Sequence, residues 1–174
     1  MSRLEAAVAL YRRENLPKLQ DLLGWYAALP TIEDAIRAAS HGLDQRQRRH
    51  PHQRRLKKAA LELACAALLA RSSAICAAKS FHSLLEIVAE VAGTIPGLGE
   101  LYAYDTALRV GARLQLFPAA VYLHAGTRYG AAALGLDAGR DKLALTELPQ
   151  PFHGLSPHEA EDALCIYKAL LADR

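Results

Sequence analysis

An all-α fold, a compact multi-helix orthogonal bundle, is what this sequence predicts, on three observations. Of its 174 residues, 52% are hydrophobic and 22% charged, a balance that buries a core and excludes general disorder. Apolar residues recur at helical spacing through most of the chain, between stops supplied by Pro and Gly and starts supplied by Ser and Thr. Period-two alternation, the mark of a half-buried strand, is nearly absent. The length sits near the commonest domain size, so residues 1–174 read as a single all-helical domain.

Ser2 and Glu5 match a capping box, and Leu4, Val8, Leu10 and Tyr11 lay an apolar stripe to about Arg13. Pro17 restarts the chain, and Leu16, Leu19, Leu22, Leu23 and Tyr26 recur at helical spacing until Pro30 stops them. Thr31 as N-cap, with Asp34 at N3, opens a short amphipathic helix through Ile32, Ala35, Ile36 and Ala39 that ends near His41-Gly42. The stretch 53–72, dense in Ala and Leu and almost without polar residues after Glu62, reads as the longest and most buried helix. The helices of 1–42 are expected to pack on it. Ser80 begins another helix through Phe81, Leu84, Leu85, Val88 and Val91, stopped by Gly93. Shorter helices follow at about 100–114, 118–124 and 127–134, and 94–135 forms a hairpin-like region. Ser156-Pro157-His158-Glu159 is the strongest start signal in the chain and opens a final helix to about Ala172. Only Lys142 to Leu148, reading KLALTEL, carries strand alternation, and it has no obvious partner; 135–154 is the main irregular connection.

No apolar run reaches the 18 or so residues a spanning helix needs, and Arg3 and Glu5 precede any hydrophobic stretch. Neither a membrane partner nor a signal peptide is expected. Cys65, Cys76 and Cys165 are too few and too scattered for a disulfide framework, which points to a reducing, cytoplasmic setting. His50, His52, His124, His153 and His158 show no His-x3-His or Cys–His pattern, so no metal or other cofactor is expected.

The net charge of +3 is unevenly placed. From Gln45 to Ala60 the chain reads QRQRRHPHQRRLKKAA, seven cations without an acid, and removing those seven from +3 leaves −4 elsewhere. A concentrated basic segment on a neutral-to-acidic body suits a polyanion bound at a defined place. Arginine forks pair bidentately with phosphate. Arg46, Arg48, Arg49, Arg54, Arg55, Lys57 and Lys58 are therefore candidate nucleic-acid contacts. His52 and Gln53 join them as a polar cluster with Arg54 at the start of the long helix, where cations oppose the dipole unless an anion lies between them. The competing reading is a solvated run neutralised by the protein's own carboxylates.

A second signal lies at 94–114, TIPGLGELYAYDTALRVGARL, where Gly97 and Gly99 form a turn before a helix and aim backbone N–H groups outward. Ile95-Pro96-Gly97-Leu98-Gly99 resembles the hairpin of the helix-hairpin-helix motif. That resemblance implies a grip on the DNA backbone without sequence reading, with the role falling to Gly97 and Gly99. The residues Tyr104-Asp105-Thr106, Arg109-Val110 and Arg113-Leu114 are similar to the segment that follows the hairpin in base-excision glycosylases of that superfamily. This implies a DNA-repair-like role, DNA in preference to RNA, Arg109 among the nucleic-acid contacts, and Asp105 supporting glycosidic bond cleavage. Asp105 follows Gly99 by six residues, closer than in that family, and Glu100 stands where its bifunctional members carry a basic residue. Read from the residues alone, Asp105 is an N-cap before Thr-Ala-Leu-Arg, and Gly126 and Gly130 in His124-Ala-Gly-Thr-Arg-Tyr-Gly suit close helix packing more than a second hairpin.

Tyr102, Tyr104, Tyr122 and Tyr129, near Asp105, Arg109, His124 and Arg128, are suited to line a pocket that stacks on a base. The leading functional expectation is a nucleic-acid-binding helical protein that grips the phosphate backbone through its basic segment and Gly-rich turn. One alternative is a glycosylase-like or other nucleotide-directed enzyme, with Asp105 as acid/base and His124 or Tyr104 assisting. The other is a non-catalytic interaction subunit, such as a homodimer, whose basic segment meets an acidic protein.

Overall fold

The computed structural model describes residues 2–172, apart from the side chain of His52. It is mainly helical, with ten α-helices and one two-stranded ribbon among the described residues. The chain gathers into two compact units, Asp21–Phe117 and a second made of the residues up to Gln20 together with those from Pro118 onward. The first helix, α1 (Arg3–Glu14), starts on the expected capping box: Glu5 N–H donates to Ser2 Oγ at 3.2 Å, and Ser2 N–H to Glu5 Oε2 at 2.6 Å. The next, α2 (Leu16–Ala27), takes Pro17 in its first turn, where an N–H has no intrahelical partner to lose.

In the unit 21–117, Thr31 caps α3 (Ile32–His41), accepting from Asp34 N–H at 3.1 Å, and Gly42 closes it in the left-handed region at φ +64°. Packed on α3 are α4 (Lys58–Leu69), the short α5 (Ser72–Ala77) and, after α6 (Phe81–Gly93), the helix α7 (Glu100–Leu114). Between α6 and α7, Leu98 N–H bonds Ile95 O at 3.2 Å across Pro96 and Gly97. With Gly97 at φ +93°, this is the type II turn that Pro followed by Gly favours. Arg113 ties the far end of α7 down, donating from Nε to Leu29 O at 2.8 Å and from Nη2 to Pro30 O at 3.2 Å.

The helix expected over 53–72 is corrected in two respects. Residues Pro51–Gln53 form a 3-10 turn and α4 starts only at Lys58, so His52, Gln53, Arg54 and Arg55 precede the helix. Burying Gln53 and keeping Arg54 and Arg55 out of a helical first turn both favour this over helical propensity. Nor is α4 buried all round: Leu61, Ala64, Cys65 and Leu68 face inward, while Leu63 is 61% exposed. Alanine made the helix look uniformly apolar, but an exposed alanine costs little.

The other unit holds α1, the strand β1 (Val121–Tyr122), α8 (Ala125–Ala133), the strand β2 (Lys142–Leu143), α9 (Pro157–Ile166) and α10 (Lys168–Ala172). The helix expected at 118–124 is instead β1, and it is the missing partner of KLALTEL: the strands run antiparallel with Val121 opposite Leu143 and Tyr122 opposite Lys142. Val and Tyr favour a pleated site once a partner exists. Leu145–Glu147 then curls into a 3-10 turn, with Glu147 accepting Ala144 N–H at 2.7 Å. The expected final helix breaks at Tyr167, whose hydroxyl accepts from Asn15 Nδ2 at 2.8 Å. Val8, Tyr11, Val121, Leu143, Phe152 and Leu164 form the centre of this unit's core. At Gly126 and Gly130, α8 approaches α9 closely: a Cβ on Gly130 would lie 2.5 Å from Leu164 O. Close packing is thus what these two glycines provide.

No helix among the described residues is long and apolar enough to cross a membrane, and none of the three cysteines forms a disulfide.

Candidate nucleic-acid interface

The basic segment folds into an ordered loop around Asp44. A bridge between Leu43 and Arg49 closes it, and His50 N–H bonds Gly42 O at 2.7 Å. Inside the loop Asp44 accepts the N–H groups of Arg46 at 2.8 Å and Arg48 at 2.9 Å, and Nη2 of Arg48 at 3.2 Å. The Arg48 N–H above all holds the Asp44 carboxyl below the usual carboxylate range.

The seven cations divide into three groups. Arg48 pairs with Asp44 and Lys58 with Glu62 at 3.5 Å. Arg49 donates to Leu56 O at 3.3 Å and Arg54 to Arg49 O at 3.2 Å, which brace the loop without neutralising either charge. Arg46, Arg55 and Lys57 are exposed and meet no carboxylate among the described residues. Among the described residues, two of the seven charges are thus paired with a carboxylate.

Arg55 and Gly99, the last residue of the Gly-rich turn, come together, while Gly97 does not line the cleft they share. A cleft of about 360 Å³ is lined by Gln53, Arg55, Leu56, Gly99, Leu101 and Tyr102. Gly99 is the N-cap of α7 and has no side chain to offer the amides of the first turn, so a 15-residue helix presents the positive end of its dipole here. Tyr102 is buried, donates to Ser40 O at 3.1 Å, and has its phenol pushed up to about 12 by burial, so it stays protonated at neutral pH. Gln53 is 2% exposed, and its Oε1 stands over Gly42, where a Cβ would be 1.5 Å away. Chemically, such a cleft suits an anion held by backbone N–H groups and a guanidinium.

The catalytic candidates are placed differently. Asp105 lies within α7, one turn past its start, so it is not an N-cap; it faces Arg109 Nη2 at 3.5 Å. Arg109 is 4% exposed, which turns its guanidinium inward and leaves the exposed contacts to the loop cations. Tyr104 is buried edge-on against Phe81, with ring centroids 5.7 Å apart. His124 belongs to the other unit, where its Nε2 meets Glu161 Oε1 in a buried pair and Thr127 Oγ1 accepts its backbone N–H at 2.7 Å. Of the remaining tyrosines, Tyr122 lies in that unit under Lys142 Nζ, 5.8 Å from the ring centroid, and Tyr129 is 71% exposed. The four tyrosines are thus shared between the units, two in each. His52, named as a contact, has its side chain outside the described residues.

Asp44, Leu56 and Glu161 were not anticipated from the sequence. Asp44 carried a usable signal, an Asp two residues before a backbone N–H it can bond in an Asx turn. Glu161 carried none, since its partner is 37 residues away.

Comparison of the chain with protein-family models, with curated proteins and with solved structures finds no match.

Proposed function

We propose that this protein binds nucleic acid, DNA in preference to RNA, by its phosphate backbone, with Arg46, Arg55 and Lys57 and the N-terminal turn of α7 as the gripping elements. The observation that carries this is the cleft on which Arg55 and Gly99 meet, because the two features expected separately to hold phosphate share one wall. Arg46 and Lys57, exposed and unneutralised on the same basic segment as Arg55, add to the positive charge a polyanion would meet. The resemblance of Ile95–Gly99 to the helix-hairpin-helix turn supports the same reading and the choice of DNA.

The test is fluorescence anisotropy with a labelled DNA duplex across a salt series. The wild type should lose affinity steeply with salt. The triple variant R46E/R55E/K57E should bind far more weakly, with a log–log salt slope flatter by ~2.7, about 0.9 for each of three lost phosphate contacts. Equal binding by wild type and triple variant would refute the proposal.

A further inference from the structure

The chain's one tryptophan stands on the wall of a second cavity, away from the turn of Gly97 and Gly99. This hollow of about 440 Å³ is bounded by the end of α2, by α3 and by the arginine-rich loop, with Trp25, Leu29, Asp34, Arg37, His41 and Gln47 among its lining. Its polar groups still have capacity for a ligand. Arg37 is exposed, and its guanidinium meets no carboxylate among the described residues. Trp25 is half-buried, and its indole N–H has no partner among the described residues and is not sealed from the surface. His41 donates Nδ1–H to Arg37 O at 2.9 Å, which leaves Nε2 for another partner. Asp34 Oδ2 accepts the Thr31 N–H at 3.2 Å and hydroxyl at 2.7 Å, while Oδ1 accepts nothing among the described residues. Gln47 joins the lining from a backbone held at φ +59°, a conformation that L residues seldom adopt.

Donors and an acceptor beside an aromatic ring narrow the choice of ligand. The Asp34 carboxylate repels a bare phosphate, so what enters is neutral and carries donors as well as acceptors. Exposed cations around the cavity ask for negative charge next to that neutral group: Arg37 on its wall, and Arg46, the chain neighbour of Gln47. A nucleotide unit meets both demands, since its base edge pairs donor with acceptor, its base face stacks on an aromatic ring, and its phosphates stay outside. Resting on the backbone-binding reading above, we infer that this cavity takes one unpaired nucleobase, stacked on Trp25, with the flanking phosphates on Arg37 and Arg46. A volume of about 440 Å³ lies within the span of small-molecule sites. A base inside a duplex is already paired and stacked, so the ligand is single-stranded or an extruded nucleotide. Because every base has a face to stack, the cavity registers the presence of a base more than its identity.

The test titrates the full chain with two single strands of equal charge, twelve thymidines and twelve abasic tetrahydrofuran residues, reading tryptophan emission and, with fluorescein-labelled versions, anisotropy. Trp25 is the sole tryptophan, so the emission reports on this cavity. The wild type should prefer the thymidine strand about tenfold, the order of one stacked base, and only that strand should quench Trp25. Trp25→Leu should bind both strands at the abasic level and keep the wild-type affinity for duplex, while Trp25→Phe, which retains a ring, should recover part of the preference. Wild-type quenching decides the matter should Trp25→Leu fail to fold. Thymidine binding without quenching, equal binding of the two strands, or a preference that survives Trp25→Leu overturns the inference while duplex binding upholds the backbone reading. Failure of the wild type to bind either strand or the duplex overturns both.

Discussion

Gly42 and Gln53 show how much of the cleft depends on single atoms. Gly42 sits at φ +64°, where an L side chain is strained by about 1–2 kcal/mol, and its missing Cβ is the space that Gln53 Oε1 fills. Gly42→Ala should therefore lower stability by about 2 kcal/mol or more, read as a lower urea midpoint at unchanged slope. Gln53→Met has the opposite sign: it removes two unsatisfied polar atoms for a side chain of similar size, and the midpoint should rise by the equivalent of about 1 kcal/mol. A fall of that size would mean the carboxamide is satisfied in solution by water. Neither residue's role was legible in the sequence beyond Gly42 as a helix stop. The contact between them joins a helix end to a turn eleven positions on, and no local pattern encodes it.

At the scale of elements, what could be read was what is local. Ser2, Thr31 and Ser80 cap the helices they precede because a cap needs only its own next three residues. The 118–124 segment was misread because a two-residue strand is defined by its partner, and Leu143 lies 22 residues past Val121. The close seat of α8 on α9 gives a sharp expectation. In Gly130→Ala the new Cβ meets the backbone carbonyl of Leu164, which cannot swing aside, so the helices must part at a cost of about 1–3 kcal/mol. Thermal unfolding checks it, and an unchanged midpoint would show the helices can slide. The loop around Asp44 carries a pH expectation. The carboxyl is held below its unfolded value of about 3.9, so its contribution is present above that pH and is lost as pH falls through the lower folded value. Exchange protection of the Arg46 and Arg48 amides should hold from neutral pH to below about 4 and disappear only when the Asp44 carboxyl is protonated at its lowered folded value. Early loss near pH 6 would assign that protection to another group.

Across the whole molecule, charge placement matters more than charge total. Seven cations within 46–58 stand against −4 elsewhere, so the field that a distant polyanion meets is concentrated on one segment. The proposed grip of guanidinium, ammonium and backbone N–H groups would contact phosphates, which are the same in every sequence. Duplexes of scrambled sequence should accordingly bind within about tenfold of one another at fixed salt, and a spread of several hundredfold would indicate base readout in the groove. The sequence pointed to the segment and the turn separately; that both border one cleft follows from the packing of α3 against α7, which no spacing in the chain records. The carboxylate at the heart of the arginine-rich loop has one more consequence. A tail of similar composition would have to become ordered on contact, with an entropic penalty and the thermodynamic signature of coupled folding. With the backbone of Arg46 and Arg48 held in advance by Asp44, the loop that carries the cations is already folded, so on the proposed reading calorimetry of DNA binding should show only a small heat-capacity change and association should be limited by encounter alone.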